Sequence, residues 1–395
     1  MKKLLLLCGW LFAVTAAAAA EPVLVGMTDT AAYFPRLRGK RIALLTNHTA
    51  VAELPGAPGA DASGQVHLVD LLHNSGLQVT GIFAPEHGFR GEADAGAKVG
   101  DGTDPVTGIP IRSLYNGNAQ RPSDAAMRTF DLLVVDMQDV GLRFYTYHIS
   151  MLRLMDACAA AGKPVVVLDR PNPNGAHIDG PILEERYHSG VGMIPVPVLH
   201  GLTMGEIARM AVGEGWIAPC DVTVIRCRNY THRTEYVLPV APSPNLRTQR
   251  AIYLYASLCL FEGTAASVGR GTDKPFECFG HPALAGYAYT FTPRSTAGAL
   301  HPPLEGEVCR GLDLSTLPLD EARATGFTLR YVADALRASG MRERFFNPMF
   351  EKLVGTGYVR EMLLGGASEV EIHARGESDL DAYKTLRRKY VLYAE

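Results

Sequence analysis

Short, continuously apolar runs recur along the first part of the chain, at residues 23–26, 41–45, 77–83, 109–114, 132–135, 164–168 and 194–199. Between several of them apolar residues return at helical spacing, over residues 66–74, 146–161 and 203–213. A strand that is apolar on both faces needs cover on both sides, so these runs predict a parallel sheet with crossover helices packed above and below. The alternation predicts an α/β fold built on an open, doubly wound, mostly parallel sheet.

Near Tyr230 the texture changes. Pro239-Val240-Ala241-Pro242-Ser243-Pro244-Asn245 is a proline-rich passage suited to a domain crossing. Beyond it lie a helical segment at 251–261, strand-like runs at 284–292 and 328–331, and amphipathic helical stretches at 333–339 and 380–388. The expected organisation is a parallel-sheet domain over residues 23–239 and a smaller α+β domain over 240–395. The loops carrying Glu262-Gly263-Thr264 and Gly269-Arg270-Gly271 are expected to return to the cleft between the two. The start of the chain reads differently. Lys2 and Lys3, an apolar stretch over 4–14 and small residues over 16–20 form a secretory signal pattern over residues 1–20. Such a stretch is too short for a stable span. The expectation is an exported, periplasmic protein with no membrane span.

Composition narrows the partners. A chain of 395 residues calls for more than one ordinary core. With 38 basic and 41 acidic side chains there is no electrostatic reason to expect nucleic acid as a partner. Six cysteines follow the signal, none in CxxC spacing, which gives a zinc site little support. Cys220 and Cys227 bracket a short apolar run and offer one pairing; the others read as buried small hydrophobes.

Polar clusters follow the predicted strands. Thr46-Asn47-His48-Thr49, Pro85-Glu86-His87-Gly88, Asp136-Met137-Gln138-Asp139, Asp169-Arg170-Pro171-Asn172 and His200-Gly201-Leu202-Thr203 each come directly after an apolar run. Parallel strands end at one edge, where ligand crevices form. Any single cluster is explained as well by turn or cap chemistry, Thr203 by a helix N-cap for example; five together point to a site. The chain has no GxGxxG, P-loop, GxSxG or HExxH motif. What remains is a cleft rich in carboxylate, arginine and asparagine. Glu86, after an apolar strand and a proline, has the setting of a carboxyl that desolvation keeps protonated for acid catalysis. Glu92, Asp94, Asp136, Asp139 or Glu184 would supply a second carboxylate, as glycoside hydrolysis by a carboxylate pair requires. Arg90, Arg143, Arg170 and Arg270 suit an acidic substrate, although Arg143 and Arg170 are equally suited to structural pairs with Asp139 or Asp169. Tyr145, in the Phe144-Tyr145-Thr146-Tyr147 cluster, is the aromatic candidate for a sugar face.

The strings LLTNHTA, FAPEHGFRGEADAG, IPIRSLYN, DMQDVGLRFYTYHISM, VLDRPNPNG, PVPVLHGLTMGE, PSPN and CLFEGTAASVGRGTDKPFE, in that order, resemble the exo-β-N-acetylmuramidase (NamZ-type) family from about Arg41 to the terminal RRKYVLY. The resemblance implies a Rossmann-like N-terminal domain, a smaller C-terminal domain and an active cleft between them. It implies release of N-acetylmuramic acid from the non-reducing end of peptidoglycan fragments, by cleavage of its β-1,4 bond to N-acetylglucosamine. Carried onto this chain, the PEHG glutamate is Glu86, the general acid, and the GPILE segment makes Glu184 the second carboxylate. Asn47, His87, Arg90, Asp136, Gln138, Asp139, Arg143, Tyr145, Asp169, Arg170, Asn172, His200, Asn245 and Arg270 are the expected substrate-binding set. The lactyl carboxylate of muramic acid accounts for the arginines, and its acetamido group is a potential internal nucleophile. No cofactor or metal is expected. The competing reading is a catalytically silent muropeptide-binding protein using the same cleft.

Overall fold

The computed structural model describes residues 21–85, 89, 100–114 and 122–395. Its strands in chain order are β1 (Ile42–Thr46), β2 (Val51–Glu53), β3 (Gln65–His67), β4 (Val79–Ala84), β5 (Gly102–Thr103), β6 (Pro110–Ser113), β7 (Leu132–Asp136), β8 (Val165–Leu168), β9 (Val222–Ile225), β10 (Cys278–His281), β11 (Tyr289–Phe291) and β12 (Cys309–Asp313). Seven of these make one sheet in the order β5-β6-β4-β1-β7-β8-β9. All its pairings are parallel except that of the edge strand β5. From β6 across to β9 this is the doubly wound Rossmann order. The winding reverses between β1 and β7, and the crevice outside their carboxyl ends is where such sheets bind ligands.

Side-chain alternation explains why the central strands are apolar throughout. Ala43, Leu45, Leu133, Val135, Val165 and Val167 enter one core with the helices Tyr147–Ala160 and Met204–Gly213. Ile42, Leu44, Leu132, Val134, Val166 and Leu168 enter the opposite core with the helices Thr30–Leu37 and Leu68–Asn74. Each strand therefore has two dry faces. The first core continues into the second half of the chain through the helix Gln249–Leu258 and Phe279 of the three-stranded antiparallel sheet β10-β12-β11, whose Cys278, Phe291 and Cys309 form a small separate cluster. Among the described residues no helix is long and apolar enough to cross a membrane. Residues 1–20, the predicted signal, lie outside the described residues.

Several local expectations are corrected. Residues 23–26 form no strand of the sheet; Leu24 makes an isolated bridge to Arg228 and a 3-10 turn, Gly26–Thr28, follows. Gly26 lies so close to β9 and the end of β8 that a Cβ would sit 2.2 Å from Ile225 O. The run 194–199, in which Pro195 and Pro197 lack an N–H, is no strand of the sheet either: Arg143 Nη1 donates to Val196 O and its backbone N–H to Val198 O, and Leu199 makes only isolated bridges to Leu142 and Asp179. Residues 328–331 lead into and begin the helix Arg330–Ser339 instead of forming a strand. The predicted helix over 66–74 divides into the end of β3 and the helix Leu68–Asn74. Cys220 and Cys227 are both free thiols.

Candidate functional site

The crevice at the strand-order reversal is built from the loops after β1 and β7. Asn47 Oδ1 accepts from the Thr49 N–H at 3.1 Å and the Thr49 hydroxyl at 2.6 Å, folding the loop after β1 back on itself. The Thr49 oxygen in turn accepts the Gln138 N–H at 2.9 Å, so the two loops are tied together. Gln138 Nε2 bridges Asp139 O and Pro171 O at 2.7 Å each, which adds the loop after β8. Asp136 and Arg170 form a fully buried ion pair, and Arg170 also reaches Val51 O at 3.1 Å. Among the described residues, Thr46 Oγ1, Asn47 Nδ2 and Gln138 Oε1 are buried there and meet no hydrogen-bond partner. Leaving buried polar atoms unpaired costs about 1–3 kcal/mol each, so this edge is poised to gain from a polar ligand. Glu86, His87 and Arg90, in the segment that follows β4, lie outside the described residues.

A cavity of about 660 Å³ is lined by Phe144–Tyr147, which follow β7, and by residues of the second half of the chain. His48, after β1, donates from Nε2 to Ala241 O at 2.8 Å. The hydroxyls of Tyr145 and Tyr147 both donate to the neighbouring Pro242 O at 2.9 Å. From there Ser243 and Asn245 continue along the cavity wall, Asn245 being held by its Nδ2 bond to Gly298 O at 2.7 Å. The aromatic wall is Phe144, Tyr145, Tyr147, Tyr255 and Phe276. Opposite charges meet in it: Arg270 Nε donates to Glu262 Oε1 at 2.5 Å while its guanidinium lies 5.0 Å from the Phe276 ring centre. The Glu262 carboxylate, despite the cost of burial, raises the Arg270 pKa further above its ordinary value. This volume is in the range of small-molecule sites.

Of the expected site residues, Tyr145, Asn245 and Arg270 come together in this cavity. Others serve the frame. Arg143 is completely buried and donates to Pro181 O at 2.7 Å, Val196 O at 2.8 Å and Leu353 O at 2.7 Å. Burial without a carboxylate partner pulls its pKa down to about 9. Asp169 accepts from Thr203 Oγ1, Tyr393 Oη and Gly205 N at 2.6–2.8 Å, and burial pushes its carboxyl up to about 6. Asn172 shapes its own turn, accepting from Asn174 N at 2.8 Å and donating to Leu202 O at 2.9 Å. Glu184 lies away from the cavity lining, half exposed between Arg186 Nε at 2.6 Å and the Thr356 hydroxyl at 2.5 Å.

Asp139, His148 and His200 cluster with ligand-type atoms within 4.8 Å of one another. The tautomer decides how to read them. His200 Nδ1 accepts the Leu202 N–H at 3.1 Å, which leaves the proton of a neutral ring on Nε2, facing Asp139 Oδ2 at 3.9 Å. Burial holds the His200 pKa well below the ordinary histidine value. A metal-bound imidazole would instead need a free Nε2 lone pair and a donating Nδ1–H. The cluster thus fits a buried polar core beneath the Tyr145 wall better than a metal site.

Profiles described as "Exo-beta-N-acetylmuramidase NamZ, N-terminal" and "Exo-beta-N-acetylmuramidase NamZ, C-terminal" match residues 42–250 and 253–393. The chain belongs to the NamZ family. Membership makes it a glycosidase. It is 36% identical over 384 residues to the peptidoglycan beta-N-acetylmuramidase NamZ of Bacillus subtilis (strain 168), covering 91% of this chain and 89% of that protein. Two DUF1343 family proteins of Bacteroides fragilis NCTC 9343 share the fold. One is 50% identical with a TM-score of 0.85, covering 95% of this chain and 100% of the other. The second is 26% identical with a TM-score of 0.72, covering 94% and 99%.

The two NamZ profiles meet at the start of the helix Gln249–Leu258, and the cavity is lined from both sides of that junction. Among the described residues that line it, Glu262 is the only carboxylate; its loop is expected at the cleft from sequence, but Glu262 is not among the expected reacting carboxylates. Its signal was the charge in the otherwise apolar string CLFEG, which a folded core does not bury without reason.

Proposed function

We propose that this NamZ-family protein is an exo-acting muramidase that releases N-acetylmuramic acid from the non-reducing end of peptidoglycan fragments. The bond cut is the β-1,4 link to N-acetylglucosamine. The observation that carries the reading is the aromatic cavity at the sheet edge with Arg270 in its wall, in a chain with this family's two halves. An N-acetylmuramic acid ring stacks on the tyrosine wall. Its lactyl carboxylate meets the Nη edge of Arg270, whose Nε alone is hydrogen-bonded within the protein among the described residues. Glu86, two residues beyond the end of β4 in the chain, is the general acid that protonates the departing oxygen.

The direct test is Glu86→Gln assayed on a chromogenic β-N-acetylmuramide, with sugar release followed by mass spectrometry. We expect turnover to fall about 10²–10⁴-fold, the contribution of a positioned general acid. Turnover close to that of the unaltered protein would remove Glu86 from the mechanism. Saturable muropeptide binding with no sugar released by the unaltered protein would favour a silent binding protein instead. Export by the residue 1–20 leader, consistent with a cell-wall substrate, is part of the same proposal.

A further inference from the structure

The second carboxylate of the reaction was expected at Glu184, yet the cavity holds a different one. Glu262 sits on the 3-10 helix Cys259–Gly263, whose backbone is fixed on both sides. Asn347 Nδ2 donates to Glu262 O at 3.2 Å, and a Cβ at Gly263 would lie 2.4 Å from Phe350 Cα, so this turn has no room to shift. The carboxylate is further held by Arg270 Nε at 2.5 Å on Oε1 and by the Cys259 thiol at 3.5 Å on Oε2. It keeps 29% of its side chain accessible, facing the cavity. A fixed, partly accessible carboxylate beside an arginine in an aromatic pocket is a preorganised charge.

Sugar chemistry then assigns its task. In muramic acid the lactyl ether is on C3 and the acetamido group on C2, so the groups that receive them must be neighbours. If Arg270 holds the lactyl carboxylate, the adjoining acceptor, Glu262, meets the acetamido N–H. We propose that Glu262 is a catalytic residue that accepts this N–H and turns the acetamido carbonyl oxygen onto C1. This rests on the muramidase reading above and deepens it. In the first step the carbonyl oxygen bonds to C1 as the bond from C1 to the leaving oxygen breaks. That oxygen takes the proton of Glu86, and the acetamido nitrogen, now cationic within an oxazolinium ring, is stabilised by the Glu262 carboxylate. Water then adds to C1 and gives its proton to Glu86, the C1 bond to the acetamido oxygen opens, and the sugar leaves with its β configuration retained.

The test compares Glu262→Gln and Glu86→Gln in the full chain on 4-nitrophenyl and 2,4-dinitrophenyl β-N-acetylmuramides, alongside the N-trifluoroacetyl substrate. Gln at 262 keeps an oxygen for Arg270 and the N–H but removes the charge. We expect its kcat to fall about 10²–10³-fold on both leaving groups, with KM changed less than about threefold and the thermal midpoint maintained. The Glu86 variant should recover on the dinitrophenyl substrate, which needs no protonation of its leaving group. The unaltered enzyme should lose rate steeply with the trifluoroacetyl substrate, whose carbonyl is a poor nucleophile. A Glu262→Gln enzyme within threefold of normal kcat would overturn the proposal. So would a rise in KM with kcat intact, the mark of a residue that only positions Arg270. Full activity of the Glu86 variant on both leaving groups would sink the acid assignment while leaving Glu262 standing. An unaltered protein that cleaves neither substrate would sink the muramidase reading and this inference with it.

Discussion

Replacing Arg143 with methionine separates a frame role from a substrate role. The guanidinium has no solvent exposure and spends its Nη groups on three carbonyls from different segments, Pro181, Val196 and Leu353. Val196 O keeps a second, longer partner, the Leu183 N–H at 3.3 Å; Arg143 is the one donor described for Pro181 O outside regular elements. Arg143→Met therefore strands about two buried carbonyls. Each costs about 1–3 kcal/mol, and removing a desolvated charge returns part of that, so the net loss is about 2–4 kcal/mol. Methionine fills most of the stem volume, which keeps cavity formation out of the comparison. The assay is urea unfolding followed by circular dichroism, with kcat and KM measured on the fully folded fraction. The expected result is a lower urea midpoint with KM unchanged. Unchanged stability together with a large rise in KM would refute the argument and return Arg143 to the substrate.

The junction beneath β8 yields two further outcomes. Tyr393 donates to Asp169 Oδ2 at 2.6 Å and accepts the Cys227 N–H at 3.0 Å, so Tyr393→Phe should cost about 1–3 kcal/mol and loosen the chain terminus, read by hydrogen exchange in residues 389–395. Asp169 gives a pH dependence whose sign follows from its surroundings. Burial and the nearby Glu206 raise its folded pKa to about 6 from 3.8, against the donors Thr203, Tyr393 and Gly205. The folded state then binds more protons than the unfolded one between those values, so this group's contribution is fully present below about 3.8 and is lost as pH rises through about 6. A shift of that size amounts to about 3 kcal/mol. In the Asp169→Asn protein the slope of stability against pH between 4 and 6 should flatten by about that total; an unchanged slope would show that Asp169 titrates normally in the fold.

The sheet was legible because its strands face two cores. Runs such as 132–135 and 164–168 are apolar at every position, and no amphipathic surface element reads that way. Residues 194–199 read identically and are no strand, because periodicity reports burial and not the hydrogen-bond partner. The partner there is Arg143, contributed by a residue about fifty positions earlier. The short apolar run between Cys220 and Cys227 does not read as a strand for the opposite reason: as the edge strand β9 it is only half buried at Val222, Thr223 and Val224, so its pattern is diluted.

The same limit governs the charged residues. Arg143, Arg170 and Arg270 all follow glycine- or aspartate-rich turns and are indistinguishable in sequence as anion binders. What separates them is the geometry of what each guanidinium already holds. Arg143 is committed to three carbonyls and Arg170 to Asp136 and Val51 O, whereas Arg270 is committed through one nitrogen and opens its remaining edge to a cavity. A substrate carboxylate needs a pair of parallel N–H donors, so only an arginine with an uncommitted edge can supply them without breaking bonds that hold the core. The carboxylates divide by the same reasoning. Glu184 draws attention as a chemical group, yet it stands outside the cavity lining, paired with the exposed Arg186 and the buried Thr356 hydroxyl. Glu262 is disguised by the apolar residues around it, and those residues are what place it in an aromatic wall, where its accessible part faces the cavity and, on the role proposed above, its charge meets a developing cation.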